Sequence, residues 1–122
     1  MNRSEYRLFL KLESWIRQQH GGYRLFAQVS LGEILQIKDY NAFRAVNAKR
    51  CDFLIINWKG FPVIVIEYQG SGHHQKHAAE RDAIKRTALE SAGIAFVEVF
   101  ENYDWDQVKA LLDRELYLSR EE

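Results

Sequence analysis

Cysteine and proline are almost missing from the sequence, which has one of each, Cys51 and Pro62, in 122 residues. A lone cysteine cannot pair within the chain, so we expect no disulfide scaffold and a reducing, cytoplasmic setting. No apolar run approaches the ~18 residues of a membrane span, and charges interrupt the N-terminal segment, which argues against a secretory signal. The sequence therefore predicts a chain that folds on its hydrophobic core and makes no membrane contact.

Net charge is also lacking, because 17 basic residues balance 17 acidic ones. The charges are segregated, however. Residues 1–97 contain 14 basic and 9 acidic residues, whereas residues 98–122 contain 3 and 8. The first part therefore has the charge to present a positive surface to a polyanion such as nucleic acid.

Hydrophobic residues are plentiful, at 47% of the chain, and aromatic residues make up 13%. A chain of this length and composition buries enough surface for one sheet covered by helices. We expect a single domain over residues 1–122, with its core at about 4–100 and an added C-terminal helix at about 104–118.

The order of elements follows from the spacing of the apolar residues. A strand, helix and strand over residues 62–100 should form a crossover between parallel strands, so an α/β fold with a mixed central sheet is predicted. Residues 38–50 are interpreted as a surface connection. The predicted elements are a helix at 4–20, strands at 23–29, 52–58, 62–68 and 94–100, a short helical turn at 31–37, and helices at 75–92 and 104–118.

The hairpin of residues 52–58 and 62–68 brings polar side chains together. If Asn57 pairs with Pro62, then Asp52 lies opposite Glu67, and residues directly opposite share one face of a sheet. Alternation along the second strand places Gln69 on that face as well. The register therefore predicts an acidic cluster at one end of the hairpin.

Two carboxylates this close repel each other unless a positive charge lies between them. Oxygen ligands favour Mg²⁺ or Mn²⁺ over zinc, which makes Asp52 and Glu67 candidate metal ligands. The alternative is structural: Asp52 caps a strand end, and Glu67 pairs with Lys49, Arg50 or Lys85. Spacing alone favours the structural alternative.

Three segments resemble a known family: KRCDFLIIN, VIVIEYQGSGHH and ERDAIKRTALESAGIAFVEV. They are similar to the DUF2726 family within the PD-(D/E)xK, restriction-endonuclease-like nuclease superfamily, over about residues 26–99. The resemblance implies a helix, three strands, a helix and a strand (αβββαβ) as the core. It also implies Mg²⁺-dependent hydrolysis of phosphodiester bonds in nucleic acid, with DNA as the first expectation.

The resemblance assigns roles to four residues. Asp52 and Glu67 match the superfamily's metal-binding carboxylates, and Gln69 stands where a lysine is usual. A glutamine amide orients water through hydrogen bonds but supplies no charge. Lys85 is the candidate substitute, because the functional lysine moves between elements in this superfamily.

Basic residues near these positions are candidate contacts to nucleic acid. Lys49 and Arg50 adjoin Asp52, and Arg81 lies one helical turn before Lys85, although such a row is most often only solvated. The resemblance adds His73, which follows the glycine turn, as a contact to phosphate or water.

Two further sites are weaker predictions. His73, His74 and His77 have the chemistry of zinc ligands, but exposed histidines at a helix entry are the favoured interpretation. Glu13 is considered as an additional metal ligand, with an ordinary surface role favoured.

Two other functions are left open. Gln69 in place of lysine favours an inactive nuclease-fold module that binds nucleic acid or a protein. The acidic, amphipathic C-terminal helix suggests a protein-binding surface or a homodimer.

Overall fold

The computed structural model describes residues 1–34, 49–70 and 76–120, and only the backbone of residues 76–79 and 81. The described parts form a four-stranded sheet with helices on its faces. The elements are α1 (Arg3–Gln19), β1 (Arg24–Ser30), α2 (Leu31–Ile34), β2 (Arg50–Ile56), β3 (Pro62–Gln69), α3 (Lys76–Ser91), β4 (Ala95–Phe100) and α4 (Trp105–Arg120).

The strands lie in the order β1-β2-β3-β4, so β2 and β3 are the central pair. β1 and β3 are both antiparallel to β2, whereas β4 is parallel to β3. A parallel neighbour cannot be reached by a tight turn, and α3 provides the crossover between β3 and β4. The predicted mixed α/β sheet is thus confirmed.

Both faces of the sheet are covered, which explains the nearly uninterrupted apolar runs of β2 and β3. α1 and α4 pack on one face, and α2 and α3 pack on the other. Residues at the centre of these two layers are Leu12, Phe53, Ile66 and Leu112 on the first face, and Leu31, Leu54, Val65 and Leu89 on the second.

The hairpin turn differs from its prediction by one residue. Ile56, rather than Asn57, pairs with Pro62, and the ladder shifts between Ile55 and Ile56. The cause is Asn57, whose side-chain oxygen accepts hydrogen bonds from the backbone N–H of Lys59 and Phe61 at 2.9 and 3.0 Å. An asparagine that bonds the turn in this way leaves the ladder, so β2 ends two residues earlier than predicted.

Beyond that irregularity the predicted register is correct, since Phe53 pairs with Ile66. β2 also begins earlier than predicted, at Arg50, which therefore belongs to the strand and not to a surface connection. The remainder of that predicted connection, residues 38–48, lies outside the described residues, as do residues 35–37 of the predicted helical turn.

The face of α3 that packs on the sheet is only partly apolar. Ile84 is 44% exposed, whereas Leu89 is fully buried against the sheet. The spacing of Asp82, Lys85, Arg86 and Leu89 places all four on one helix face. That face is polar over its first part, because it covers the polar end of β3 instead of an apolar surface.

Gly93 caps the C-terminal end of α3. Its φ of +79° lies in the left-handed region, and the N–H of Ile94 donates to the carbonyl of Leu89 at 2.9 Å. This is the geometry of a glycine C-cap, and it directs the chain into β4.

None of the helices in the described ranges has the length and apolar character needed to cross a membrane.

Candidate functional site

Asp52 and Glu67 meet where β2 and β3 separate. The last paired residues of the hairpin are Phe53 and Ile66, and the two carboxylates come directly after that pair. A Glu67 carboxylate oxygen (Oε2) accepts a hydrogen bond from the Asp52 N–H at 3.1 Å, and Asp52 Oδ2 accepts one from the Tyr68 N–H at 2.8 Å. The two carboxylates thus accept hydrogen bonds from backbone N–H groups that lie beyond the last paired residues of the ladder. They lie close together, as the register predicted.

Lys85 approaches this pair from α3. Its Nζ lies 2.7 Å from Glu67 Oε1 and 3.2 Å from the carbonyl oxygen of Arg50. The Glu67 side chain is 6% exposed and that of Lys85 is 16% exposed, so the ion pair is largely desolvated. Of the pairings that the structural alternative allowed for Glu67, the one with Lys85 is present.

The pKa of Glu67 is raised to about 7, chiefly by burial; Lys85 opposes the shift, and the neighbouring Asp52 carboxylate adds to it. Burial also raises the pKa of Glu5, with Asp52 as the second cause. Both carboxyl groups therefore bind protons more readily than free ones, which is the expected result of confining negative charge in one place. A group with these properties is typical of functional sites.

Gln69 is held by a second polar network. It is 5% exposed, and its Nε2 donates to Asp82 Oδ2 at 3.0 Å and to Glu98 Oε2 at 3.2 Å. Glu98 in turn accepts a hydrogen bond from Arg86 at 2.9 Å. The buried Oε1 of Gln69 has no hydrogen-bond partner, so it is the one polar atom of this amide left to accept a donor.

A cavity of about 370 Å³ connects these groups. Four carboxylates line it, together with the cations of Arg50 and Lys85. The acidic members are Glu5, Asp52, Glu67 and Asp82. The excess of acidic groups favours binding of a cation, and the oxygen atoms are hard donors of the kind that Mg²⁺ and Mn²⁺ prefer.

In the described ranges, no group of three or more His, Cys, Asp and Glu side chains is arranged to hold a metal ion. Mg²⁺ is nevertheless commonly held by one or two carboxylates and several waters. Asp52 and Glu67 are adjacent oxygen donors on a cavity with room for water, and they fit that mode of binding.

Cys51, which adjoins Asp52, is fully buried. Burial raises the pKa of its thiol to about 12, and the charge of Glu67 contributes to the shift. The thiol therefore stays protonated at neutral pH and is not an activated nucleophile.

The predicted basic contacts are placed unequally. Arg50 lines the carboxylate cavity, whereas Lys49 is not among its lining residues. Arg81 lies on α3, with its side chain outside the described residues, and His73 lies outside them altogether. Glu13 is exposed on α1 and does not line the cavity, which agrees with the surface role favoured for it. Of the histidines weighed as zinc ligands, His74 and the side chain of His77 are also outside the described residues.

Sequence reasoning missed four residues of the site: Glu5, Asp82, Arg86 and Glu98. A signal was available for two of them, because Asp82 and Arg86 lie three residues before and one residue after Lys85 and share its helix face with Leu89. No local pattern marks Glu5 or Glu98. Glu5 reaches the site because α1 packs beside β1, and Glu98 reaches it because β4 pairs with β3.

Two curated relatives are similar to most of this chain. An uncharacterized protein of Haemophilus influenzae is 53% identical over 103 residues, which are 84% of this chain and 54% of that protein. Uncharacterized protein y4bI of Sinorhizobium fredii is 46% identical over 99 residues, which are 81% of this chain and 72% of that protein. The chain thus spans about half the length of the Haemophilus protein.

No solved structure matches the chain. The family model described as "Protein of unknown function (DUF2726)" matches residues 1–116, which include every described residue of the carboxylate cavity. The chain therefore belongs to the DUF2726 family.

Proposed function

We propose that the protein is a Mg²⁺-dependent, nuclease-like phosphodiesterase with a restriction-endonuclease-like core. The proposal rests on one observation: Asp52, Glu67 and Lys85 come from three different elements and converge on one cavity. The order of helix, three strands, helix and strand supports it, as does the resemblance of the sequence motifs to the PD-(D/E)xK superfamily.

Asp52 and Glu67 would hold the cation, which when bound supplies a Lewis acid for the phosphate and for an attacking water. Lys85 has two uses for its charge. In the free protein it compensates Glu67, with which it shares a 2.7 Å contact. When another cation compensates that carboxylate, the ammonium group is free to stabilise the negative charge that develops on a phosphate.

Gln69 is suited to orienting water. Its amide nitrogen is already engaged with Asp82 and Glu98, which fixes the amide and leaves the oxygen as an acceptor. A water admitted to this buried oxygen would donate a hydrogen bond to it, which would turn the water's lone pair toward the reacting phosphorus. The glutamine thus positions a nucleophile, while Lys85 supplies the charge that lysine provides at this place in the superfamily.

The test is cleavage of varied DNA and RNA substrates with Mg²⁺ or Mn²⁺. Asp52→Asn and Glu67→Gln remove one charge each while keeping an oxygen for the backbone donors. Both should lose cleavage, and Glu13→Gln, which changes an exposed glutamate of α1, should retain it. Activity that persists in both site variants would reject the assignment.

A second function is favoured by a specific observation: Lys85 already lies 2.7 Å from Glu67, so this carboxylate has a positively charged partner without a metal ion. On this alternative the protein is an inactive nuclease-fold module that binds nucleic acid or a protein partner. Calorimetric titration with Mg²⁺ distinguishes the two functions. No uptake near neutral pH, together with intact nucleic-acid binding, would select the inactive module.

A further inference from the structure

The tip of the β2–β3 hairpin displays aromatic side chains to solvent. Phe61 is 62% exposed and Trp58 is 59% exposed, and Phe26 of the adjacent β1 is 47% exposed. Trp58 is held in place by an edge contact with the buried Tyr23, with ring centroids 5.7 Å apart. Neither hairpin ring is needed to fill the core, so their exposure points to a ligand with flat apolar faces.

These rings line a groove whose charges are mostly positive. The charged residues among its described lining are Arg50, Lys59, Arg120 and a single acid, Glu33. None of the three basic side chains forms a salt bridge with a carboxylate in the described part of the chain. Within the described residues, the groove therefore combines three basic side chains and one acidic side chain with aromatic surface.

The groove and the carboxylate cavity share one residue, because Arg50 lines both of them. Gln28 lines the groove and donates a hydrogen bond at 3.1 Å to Glu5, which lines the cavity. β2 runs from the carboxylate cavity to the hairpin tip. Its seven residues span roughly 20 Å at about 3.3 Å per residue. That distance corresponds to roughly six nucleotides at the stacked spacing of about 3.4 Å.

We propose that this groove binds an unpaired stretch of a nucleic-acid strand, with bases stacked on Trp58 and Phe61 and phosphates near Arg50, Lys59 and Arg120. A duplex hides its base faces, whereas a single strand exposes both the faces and the negative charge that this surface matches. The inference rests on the proposed function and deepens it, since it specifies a substrate with a single-stranded segment.

The experiment measures binding without cleavage, by fluorescence anisotropy of labelled oligothymidylate in EDTA at low salt. A duplex of the same length is the competitor. The single strand should bind more tightly than the duplex, and Phe61→Ala should weaken its binding at least about fivefold, the lower end of the loss seen when one stacking residue is removed. Tyr117→Ala is the matched control, because Tyr117 is 61% exposed on α4 and does not line the groove.

Three results would overturn the inference. One is equal binding of the single strand by the wild type and Phe61→Ala, and another is the absence of oligonucleotide binding. The third is self-association that Phe61→Ala abolishes while nucleic-acid binding is unaffected, which would make the hairpin tip a contact between copies of the chain.

The two proposals fail separately. Asp52→Asn should lose cleavage but bind the single strand at least as tightly as the wild type, because Asp52 lies outside the groove and the substitution removes a negative charge. Strand binding without cleavage by the wild type would reject the nuclease and keep the groove. Cleavage that ignores both Phe61 and strandedness would reject the groove and keep the nuclease.

Discussion

Ionisation of Glu67 should make the metal-free protein less stable as the pH rises. The pKa of Glu67 is raised to about 7 in the folded protein, from an ordinary value of 4.5. The folded state therefore binds this proton more tightly than the unfolded state does. The contribution to stability is fully present below pH 4.5 and is lost as the pH rises through 7.

The size of the effect follows from the shift. A difference of one pKa unit corresponds to about 1.4 kcal/mol, so the free energy of unfolding should fall by about 3 kcal/mol from this group between pH 5 and pH 8. Glu67 is 4% exposed, so solvent screening does little to reduce that value. A bound divalent cation prefers the ionised form and should restore stability more at pH 8 than at pH 5.

Urea unfolding followed by tryptophan fluorescence, in EDTA across this pH range, measures the effect. Glu67→Gln keeps the shape of the side chain but cannot ionise, so its stability should fall much less with pH than that of the wild type, with Glu5 as the remaining carboxyl of raised pKa. Glu13→Gln should keep the fall that the wild type shows. Superimposable profiles for the wild type and Glu67→Gln would refute the reasoning, because ionisation of the buried Glu67 would then have no effect on the free energy of unfolding.

Three further outcomes are expected from urea unfolding. Lys85→Ala leaves the Glu67 charge uncompensated, so it should lower the free energy of unfolding by about 3 kcal/mol at pH 8. The loss should be smaller at pH 5, where the carboxyl is neutral, and equal losses at the two pH values would contradict the ion pair. Phe53→Ala removes a fully buried ring and should cost about 3–5 kcal/mol. Phe26 is 47% exposed, so Phe26→Ala should cost only about 1 kcal/mol, and similar losses for the two variants would contradict the burial. Gly93→Ala has open space but a φ of +79°, so it should cost about 1 kcal/mol, and an unchanged midpoint would refute the left-handed cap.

The hairpin and the crossover could be predicted because their signals are local. β-branched runs on either side of a short loop specify the antiparallel pair, and opposite residues follow by counting. The error at the turn came from Asn57, whose side chain accepts hydrogen bonds from backbone N–H groups of the turn, an effect that residue counting does not include. The same counting nevertheless brought Asp52 and Glu67 together, since the shift lies at the other end of the strands.

The polar network around Gln69 could not be predicted in the same way. Glu98 reaches it from the parallel strand β4, and Asp82 and Arg86 reach it from the crossover helix. Their proximity depends on how α3 lies across the sheet. The face of α3 that packs on the sheet carries polar residues where it covers the end of β3. Apolar periodicity therefore does not identify that face.

Sequence motifs identified the family. The order of the elements and the pairing of two carboxylates also followed from the sequence by itself, since periodicity and strand register are short-range properties. Only the tertiary structure decided that Lys85 bonds Glu67, that Glu5 joins the cavity, and that aromatic and basic side chains share a groove. Those contacts join residues from separate elements, and the packing of helices on the sheet sets the distances between them.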